Sequence, residues 1–286
     1  GNQNATHAEP KELTNNDIRY KWDRIIGRGE YSRVYHGIRL HDQLPVAIKV
    51  IQAQDLQKHR KQRLKREISI LRYITKLTNH SEYFVTLLDT FIDDQSNLMI
   101  VTELIPGIEL YESLVTHDNG FNETTAKKLL RRVFLAVYML HKNNLAHRDI
   151  KLENIMLDCS AKCLKLLDFG FATPTVLPNS KDQIRFTDLC GSIHYLAPEM
   201  LAEKVYDAKK SDVWSLGITT FAVLTGDFPF NGDSEAAIFQ CITTQNVQYP
   251  PQMSDEARGL LHLMLHPDPS SRGTMSAVIR HSWWDS

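Results

Sequence analysis

The chain has 286 residues, 42% of them hydrophobic, and its 33 Lys and Arg oppose 34 Asp and Glu for a formal net charge of -1. That content excludes a disordered chain and leaves room for one large core or two smaller ones, while the balanced charge excludes global attraction to nucleic acid or to an anionic membrane. Cys159, Cys163, Cys190 and Cys241 are too few for a disulfide scaffold and lack zinc-ligand spacing, and no apolar run approaches the roughly 18 residues of a membrane span, so the expectation is a soluble protein in a reducing, intracellular setting, cytoplasmic with the nucleus as the alternative.

Residues 1–17 are polar and aperiodic, contain Pro10 and read as a flexible tail, with order beginning near Ile18. Gly1 reads as a cloning remnant and not as a myristoylation acceptor, because Ala5 stands where that motif carries Ser or Thr. Residues 20–26, 34–40 and 45–51 are short runs rich in β-branched and aromatic side chains and predict antiparallel strands. A helix is predicted over 58–71, where Leu64, Ile68 and Leu71 recur at helical spacing in a basic segment. Strands at 84–91 and 98–104 follow, after which strands become scarce. Periodic segments at 123–142, 210–225 and 254–265 predict long helices. Strands first and helices afterwards give an α+β protein in two parts. The basic run from Lys58 to Arg63 reads as a solvated helix face, with a docking or nuclear-import patch as the alternative.

Gly27-Arg28-Gly29-Glu30-Tyr31-Ser32-Arg33-Val34 is a glycine-rich turn between two strands, where missing side chains let the backbone fold over phosphates. Two glycines in a hairpin mark no more than a turn when they stand alone. Downstream, Val46-Ala47-Ile48-Lys49 puts a lysine on the neighbouring strand, and Glu67 on the following helix can hold that lysine in place. Further on come His147-Arg148-Asp149-Ile150-Lys151-Leu152-Glu153-Asn154, then Asp168-Phe169-Gly170, then Ala197-Pro198-Glu199. Each tripeptide is common; the ordered set is not.

With that set in place the chain resembles eukaryotic protein kinases from about residue 20 to residue 284. The resemblance implies a bilobal fold: a flexible tail at 1–17 and a kinase domain at 18–286, with a β-rich N-lobe carrying one main helix at about 18–101, a hinge at about 102–107 and a helical C-lobe at about 108–286. It implies ATP and Mg2+, and transfer of the γ-phosphoryl group to Ser or Thr hydroxyls of proteins. Carried over residue by residue, Asp149 accepts or orients the hydroxyl proton, Lys151 steadies the γ-phosphate, and Lys49 with Glu67 holds the α- and β-phosphates. Asn154 and Asp168 match the metal ligands, both hard oxygen donors. Gly27, Gly29, Val34, Ala47, Lys49, Thr102, Glu103, Ile105 and Met156 match the ATP-binding positions. In the activation segment, Arg148 reads the state of the segment near Thr187, Asp188 and Ser192, while Glu199 and Arg272 match a buried ion pair.

Lys151 and Ser192 match serine/threonine kinases and not tyrosine kinases. The Glu103-Leu104-Ile105 hinge, Phe228-Pro229-Phe230 and the ending His281-Ser282-Trp283-Trp284 resemble the calcium/calmodulin-dependent group, calcium-dependent protein kinases above all. No EF-hand loop is present, so any calcium-sensing or regulatory module lies outside this chain. Glu109 and Glu153 match carboxylates that pair with arginines of the substrate, which implies a preference for basic motifs. Asp188 stands where many kinases carry a phosphorylatable Thr, which implies an activation segment competent without phosphorylation; Thr187 as the switch is the competing reading. Leu152 replaces a usual proline and Ser32 the third glycine, both read as tuning of loop stiffness. From a different class, a pseudokinase scaffold that binds nucleotide without transfer is the alternative function. Trp283 and Trp284 are expected to pack on the large lobe.

Overall fold

The computed structural model describes residues 11–285 apart from 16–17, 30–31, 53, 55–57, 78–81, 118–119, 159–162, 203–204 and 245–246. The chain forms two compact units, Gly1–Pro106 and Gly107–Ser286. The boundary falls inside the segment that sequence reads as a hinge.

The first unit is an antiparallel sheet with one helix. Its strands are β1 (Lys11–Asn15), β2 (Ile18–Gly29), β3 (Ser32–Arg39), β4 (Leu44–Ile51), β5 (Leu87–Ile92) and β6 (Leu98–Glu103), in the order β1-β2-β3-β4-β6-β5, and its helix is α1 (Lys58–Lys76). Alternation along β4 sorts its side chains by face. Val46, Ile48 and Val50 join Tyr20, Trp22, Phe91, Met99 and Val101 in the core. Ala47 and Lys49 point to the other face and stay half-buried.

Two sequence expectations change here. The described strands begin with β1 and not near Ile18, because Lys11 through Asn15 pair with Trp22 back to Ile18 along the edge of β2. Backbone pairing makes this strand, so polar side chains did not announce it. The rest of the expected tail lies outside the described residues. β5 starts at Leu87 and not at 84, because the Thr86 and Leu87 amides donate to Glu103 Oε1 at 2.9 Å and Thr75 Oγ1 at 3.1 Å in place of ladder carbonyls.

The second unit is mainly helical. In chain order it contains β7 (Gly107–Glu109), α2 (Leu110–Val115), α3 (Glu123–Lys142), β8 (Leu145–Ala146), β9 (Ile155–Asp158), β10 (Cys163–Leu166), β11 (Thr173–Pro174), α4 (Pro198–Leu201), α5 (Ala208–Thr225), α6 (Glu235–Thr244), α7 (Asp255–Met264) and α8 (Met275–Val278). Its short strands make a sheet β10-β9-β7 and a pair β11-β8. Gly107 is needed where β7 meets β9: a Cβ there would sit 1.8 Å from the Leu157 carbonyl oxygen.

α5 is buried nearly all round and is the axis of the unit. α3 starts where Asn122 accepts from the Thr125 amide at 3.0 Å, and Glu123 behind it ties down two distant segments. It accepts from the Ser254 amide and hydroxyl at 2.8 and 2.7 Å and from Trp283 Nε1 at 3.0 Å. Trp283 is fully buried, and Trp284 meets Phe134 edge-on, so both tryptophans pack on this unit.

Candidate active site

In the first unit, register gathers the nucleotide candidates. Residues directly opposite in an antiparallel pair share a face. Lys49 pairs with Val34 on β3 and Ile100 on β6, and Ala47 pairs with Thr102, so Val34, Ala47, Lys49 and Thr102 lie on one face, opposite the core. Lys49 Nζ donates to Glu67 Oε1 at 2.7 Å, and Glu67, from the buried side of α1, is itself buried. Gly27 pairs with Val34 and Gly29 with Ser32, so the glycine turn closes a tight hairpin. A Cβ on Gly29 would meet Ser32 Oγ at 2.8 Å. Glu30 and Tyr31 at its tip lie outside the described residues. Glu103 is half-buried at the end of β6 and Ile105 is buried just beyond it.

In the second unit, the loop between β8 and β9 holds the acid–base candidates. Arg148 has φ of 67° and Asp168 has φ of 49°, a region that non-glycine residues rarely occupy. Asp212 of α5 holds the first of these in place: its carboxylate accepts from the His147 amide at 2.9 Å, the Arg148 amide at 2.7 Å and His141 Nε2 at 2.9 Å. The His147 ring adds a second brace, donating from Nε2 to the Leu167 carbonyl at 2.9 Å and accepting from the Asp149 amide at 3.3 Å.

Asp149 is buried, and its Oδ2 accepts from Asn154 Nδ2 at 2.8 Å with Lys151 Nζ 3.1 Å away. Asn154 Nδ2 also donates to the Asp149 carbonyl at 2.8 Å. With its amide nitrogen so engaged, the Asn154 side chain keeps its oxygen as a hard donor. The Leu167 amide donates to the Asn154 carbonyl at 2.8 Å, which brings Asn154 beside the residue preceding Asp168. Asp168 is exposed and its Oδ1 accepts from the Gly170 amide at 3.0 Å, while Phe169 is fully buried edge-on to His147. Two hard oxygen side chains so placed fit Mg2+. Among the described residues no group of three or more His, Cys, Asp or Glu could hold a metal by itself. Met156 is half-buried on β9, opposite Glu109 of β7.

The activation-segment candidates form two ion pairs. Arg148 Nη2 lies 2.6 Å from Asp188 Oδ2 and donates to Tyr206 Oη at 2.8 Å, with its guanidinium 4.7 Å above the Phe186 ring. Burial pushes the Tyr206 hydroxyl up, so it stays protonated and donates to the Asp188 carbonyl at 3.0 Å. Thr187 is exposed. The second pair is bidentate, Arg272 to Glu199 at 2.7 and 2.8 Å. Lys151 Nζ also reaches Ser192 Oγ at 3.4 Å.

Glu109 and Glu153 share one electrostatic neighbourhood. Burial, then repulsion from Glu112 and Glu153, pushes the Glu109 carboxyl above its ordinary value, with Lys151 opposing. Glu153 accepts from the Tyr195 hydroxyl at 3.4 Å, and that hydroxyl accepts from the Leu152 amide at 3.3 Å. A proline at 152 would have no amide to give, so Leu152 adds a hydrogen bond as well as changing loop stiffness.

Sequence reading missed Asp212 and Tyr206. Asp212 was absorbed into the periodicity of a helix; a lone carboxylate beside Val213 and Trp214 in an otherwise apolar stretch was the available signal. Tyr206 offered none.

A strand lysine clamped by a buried helical glutamate in the first unit, and in the second a buried aspartate flanked by asparagine and lysine before an exposed Asp-Phe-Gly, belong to the α+β fold of the protein kinase domain. The protein kinase domain family matches residues 20–284, and the chain belongs to that family, whose members use ATP and Mg2+. It is similar to CBL-interacting protein kinase 31 of Oryza sativa subsp. japonica, 32% identical over 93% of this chain and 57% of that protein. It is also similar to CBL-interacting serine/threonine-protein kinase 16 of Arabidopsis thaliana, 33% identical over 93% of this chain and 56% of that protein. A third relative is an Aurora kinase of Dictyostelium discoideum, 34% identical over 91% of this chain and 64% of that protein. The chain thus spans little more than half the length of the CBL-interacting kinases it matches. These relatives support serine/threonine kinases in general and not the calcium-dependent group in particular. Among the described residues no helix is long and apolar enough to cross a membrane.

Proposed function

We propose that this chain transfers the γ-phosphoryl group of ATP to Ser or Thr hydroxyls of proteins. The observation that carries the reading is the buried Asp149 carboxylate, bonded by Asn154 and approached by Lys151. In the transfer, the hydroxyl oxygen bonds to the γ-phosphorus, the bond to the bridging oxygen breaks, ADP leaves, and the hydroxyl proton passes to Asp149. Lys151 steadies the transferring group, and Lys49, fixed by Glu67, positions the other phosphates. The glycine turn with Val34, Ala47, Thr102, Glu103, Ile105 and Met156 receives the nucleotide. Asn154 and Asp168 hold Mg2+, which when bound neutralises charge on the phosphates.

Three finer readings accompany this one. Glu109 and Glu153 select arginines of the substrate, a reading supported by the raised Glu109 carboxyl, which a nearby cation would relieve. Asp188 supplies a fixed negative charge to Arg148, so the segment is competent with Thr187 unmodified; the 2.6 Å contact supports it. Control then comes from a regulatory segment or partner, for which the resemblance to calcium-dependent kinases suggests a calcium-sensing one.

Labelled phosphate transfer from ATP to a basic Ser/Thr peptide is the test. Asp149→Asn should lower the rate on the order of 10²-fold or more and leave the nucleotide-dependent melting shift in place. A wild-type chain that shows the shift without transfer would be a nucleotide-binding scaffold instead.

A further inference from the structure

Outside the catalytic machinery, the second unit carries two adjoining cavities of about 250 and 400 Å³ that share Gln183, Asp207 and Lys209 in their walls. The walls come from the end of α3, the start of α5, the segment around 175–183 and the start of α8. They contain four lysines, Lys142, Lys181, Lys209 and Lys210, in a protein whose net charge is -1.

The carboxylates that act on the two half-buried lysines, Asp207, Asp212, Asp268 and Glu199, are committed to other partners: Asp212 to the His147 and Arg148 amides, Asp268 to the Ser270 and Ser271 hydroxyls, Glu199 to Arg272. Asp207 accepts from the Lys209 amide at 2.9 Å to cap α5 and lies 3.1 Å from Arg185. The ammonium groups of the two half-buried lysines instead meet neutral oxygens: Lys209 donates to Asn144 Oδ1 at 3.1 Å and Lys210 to the Arg272 carbonyl. Burial accordingly depresses both lysines below their ordinary value. Lys142 and Lys181 are exposed at the two ends and make no ion pair among the described residues. The wall also holds neutral donors, including Ser180, Thr274 and the Thr175 hydroxyl, which has no hydrogen-bond partner. Lysine positive charge has been withdrawn from water with carboxylates near it but, among the described residues, none in an ion pair with it, which costs free energy that an anionic ligand would recover. The larger cavity alone is of ligand size, more than one tetrahedral anion fills.

We propose that this lysine-lined groove binds an anionic peptide segment, its carboxylates or phosphorylated side chain seated between Lys209, Lys210 and the two exposed lysines. It is a docking site apart from the phosphoryl-transfer residues, so a partner or substrate can be held there while the chemistry proceeds elsewhere.

The test is fluorescence anisotropy of the whole chain with a labelled oligoglutamate peptide, a phosphoserine peptide and an oligoglutamine control. The acidic and phosphoserine peptides should bind in a salt-sensitive manner and the control should not. The double variant Lys142→Glu with Lys181→Glu should weaken binding about tenfold with phosphate transfer to a generic peptide unchanged. Lys61→Glu with Lys65→Glu, the same charge change on the exposed face of α1, should leave binding as it was. Equal weakening by both doubles, or no binding at millimolar peptide, overturns the proposal. Displacement by equimolar inorganic phosphate would make the groove a small-anion site and overturn the peptide assignment.

Discussion

Two arginines in the helical unit each reach a carboxylate distant in sequence, and they do so in opposite ways. Arg272 and Glu199 are both buried, with side-chain exposures of 0% and 6%, and the pair is bidentate. Arg272 also donates to the carbonyls of His266, Lys210 and Pro267 and stacks 5.0 Å from Trp214. Arg148 is equally buried at 3%, but its partner Asp188 is 63% exposed and its Nε has no hydrogen-bond partner. The first pair satisfies every direction of a guanidinium, as a permanent fastening requires. The second leaves one end in water, where a different anion can compete and where the contact is made and lost at small cost. A buried bidentate pair is built to fasten, whereas a pair with one partner exposed is open to exchange.

Breaking the fastening should have the largest effect. Glu199→Ala strands a buried guanidinium and should cost about 3–5 kcal/mol in urea unfolding. A loss comparable to that of Asp188→Ala would erase the distinction. Next comes the backbone brace: Asp212→Ala leaves the buried His147 and Arg148 amides without acceptors, at about 1–3 kcal/mol each, and should reduce phosphate transfer with stability. Rescue of the rate without rescue of stability by Asp212→Asn would mean that the brace acts on chemistry alone.

The contrast between these residues also marks what sequence can and cannot disclose. The amphipathic helix over 123–142 and the opposed strands of the first sheet are written in side-chain periodicity; the helix falls on its expected residues, and the five expected strands are all present with some of their ends shifted, as in β2 and β5. Asp149, Lys49 and Asn154 stand out because local motifs surround them. β1 was hidden because its pairing is a backbone matter, and the short strands among the described residues of the second unit are too brief for alternation to register. Asp212 was hidden because the amides it serves lie more than sixty residues away, a relation with no local signature.

Effects at the Arg148–Asp188 pair should be kinetic. Asp188→Ala should change unfolding free energy by under about 1 kcal/mol, its carboxylate being mostly exposed, and lower the transfer rate roughly tenfold. Unfolding monitored alongside initial rates separates the two.

The smallest effect belongs to Glu109. Its folded pKa is raised, so in its charged form above that value it costs stability. Glu109→Gln should leave the fold as stable or slightly more so at neutral pH, and the difference should vanish as pH falls below the ordinary carboxylate range. The same change should raise KM for Arg-containing peptides by the equivalent of about 0.2–1 kcal/mol, with KM for peptides lacking arginine unchanged. A general rise in KM would remove the substrate-reading role.

The most direct test is the initial rate of γ-phosphoryl transfer to a Ser/Thr peptide by phosphatase-treated chain, shown by mass spectrometry to be unmodified at Thr187. Transfer close to the untreated rate, lost in Asp149→Asn and impaired in Asp188→Ala, is the predicted result. A treated chain that is silent until Thr187 is phosphorylated, with Asp188→Ala harmless, would contradict it.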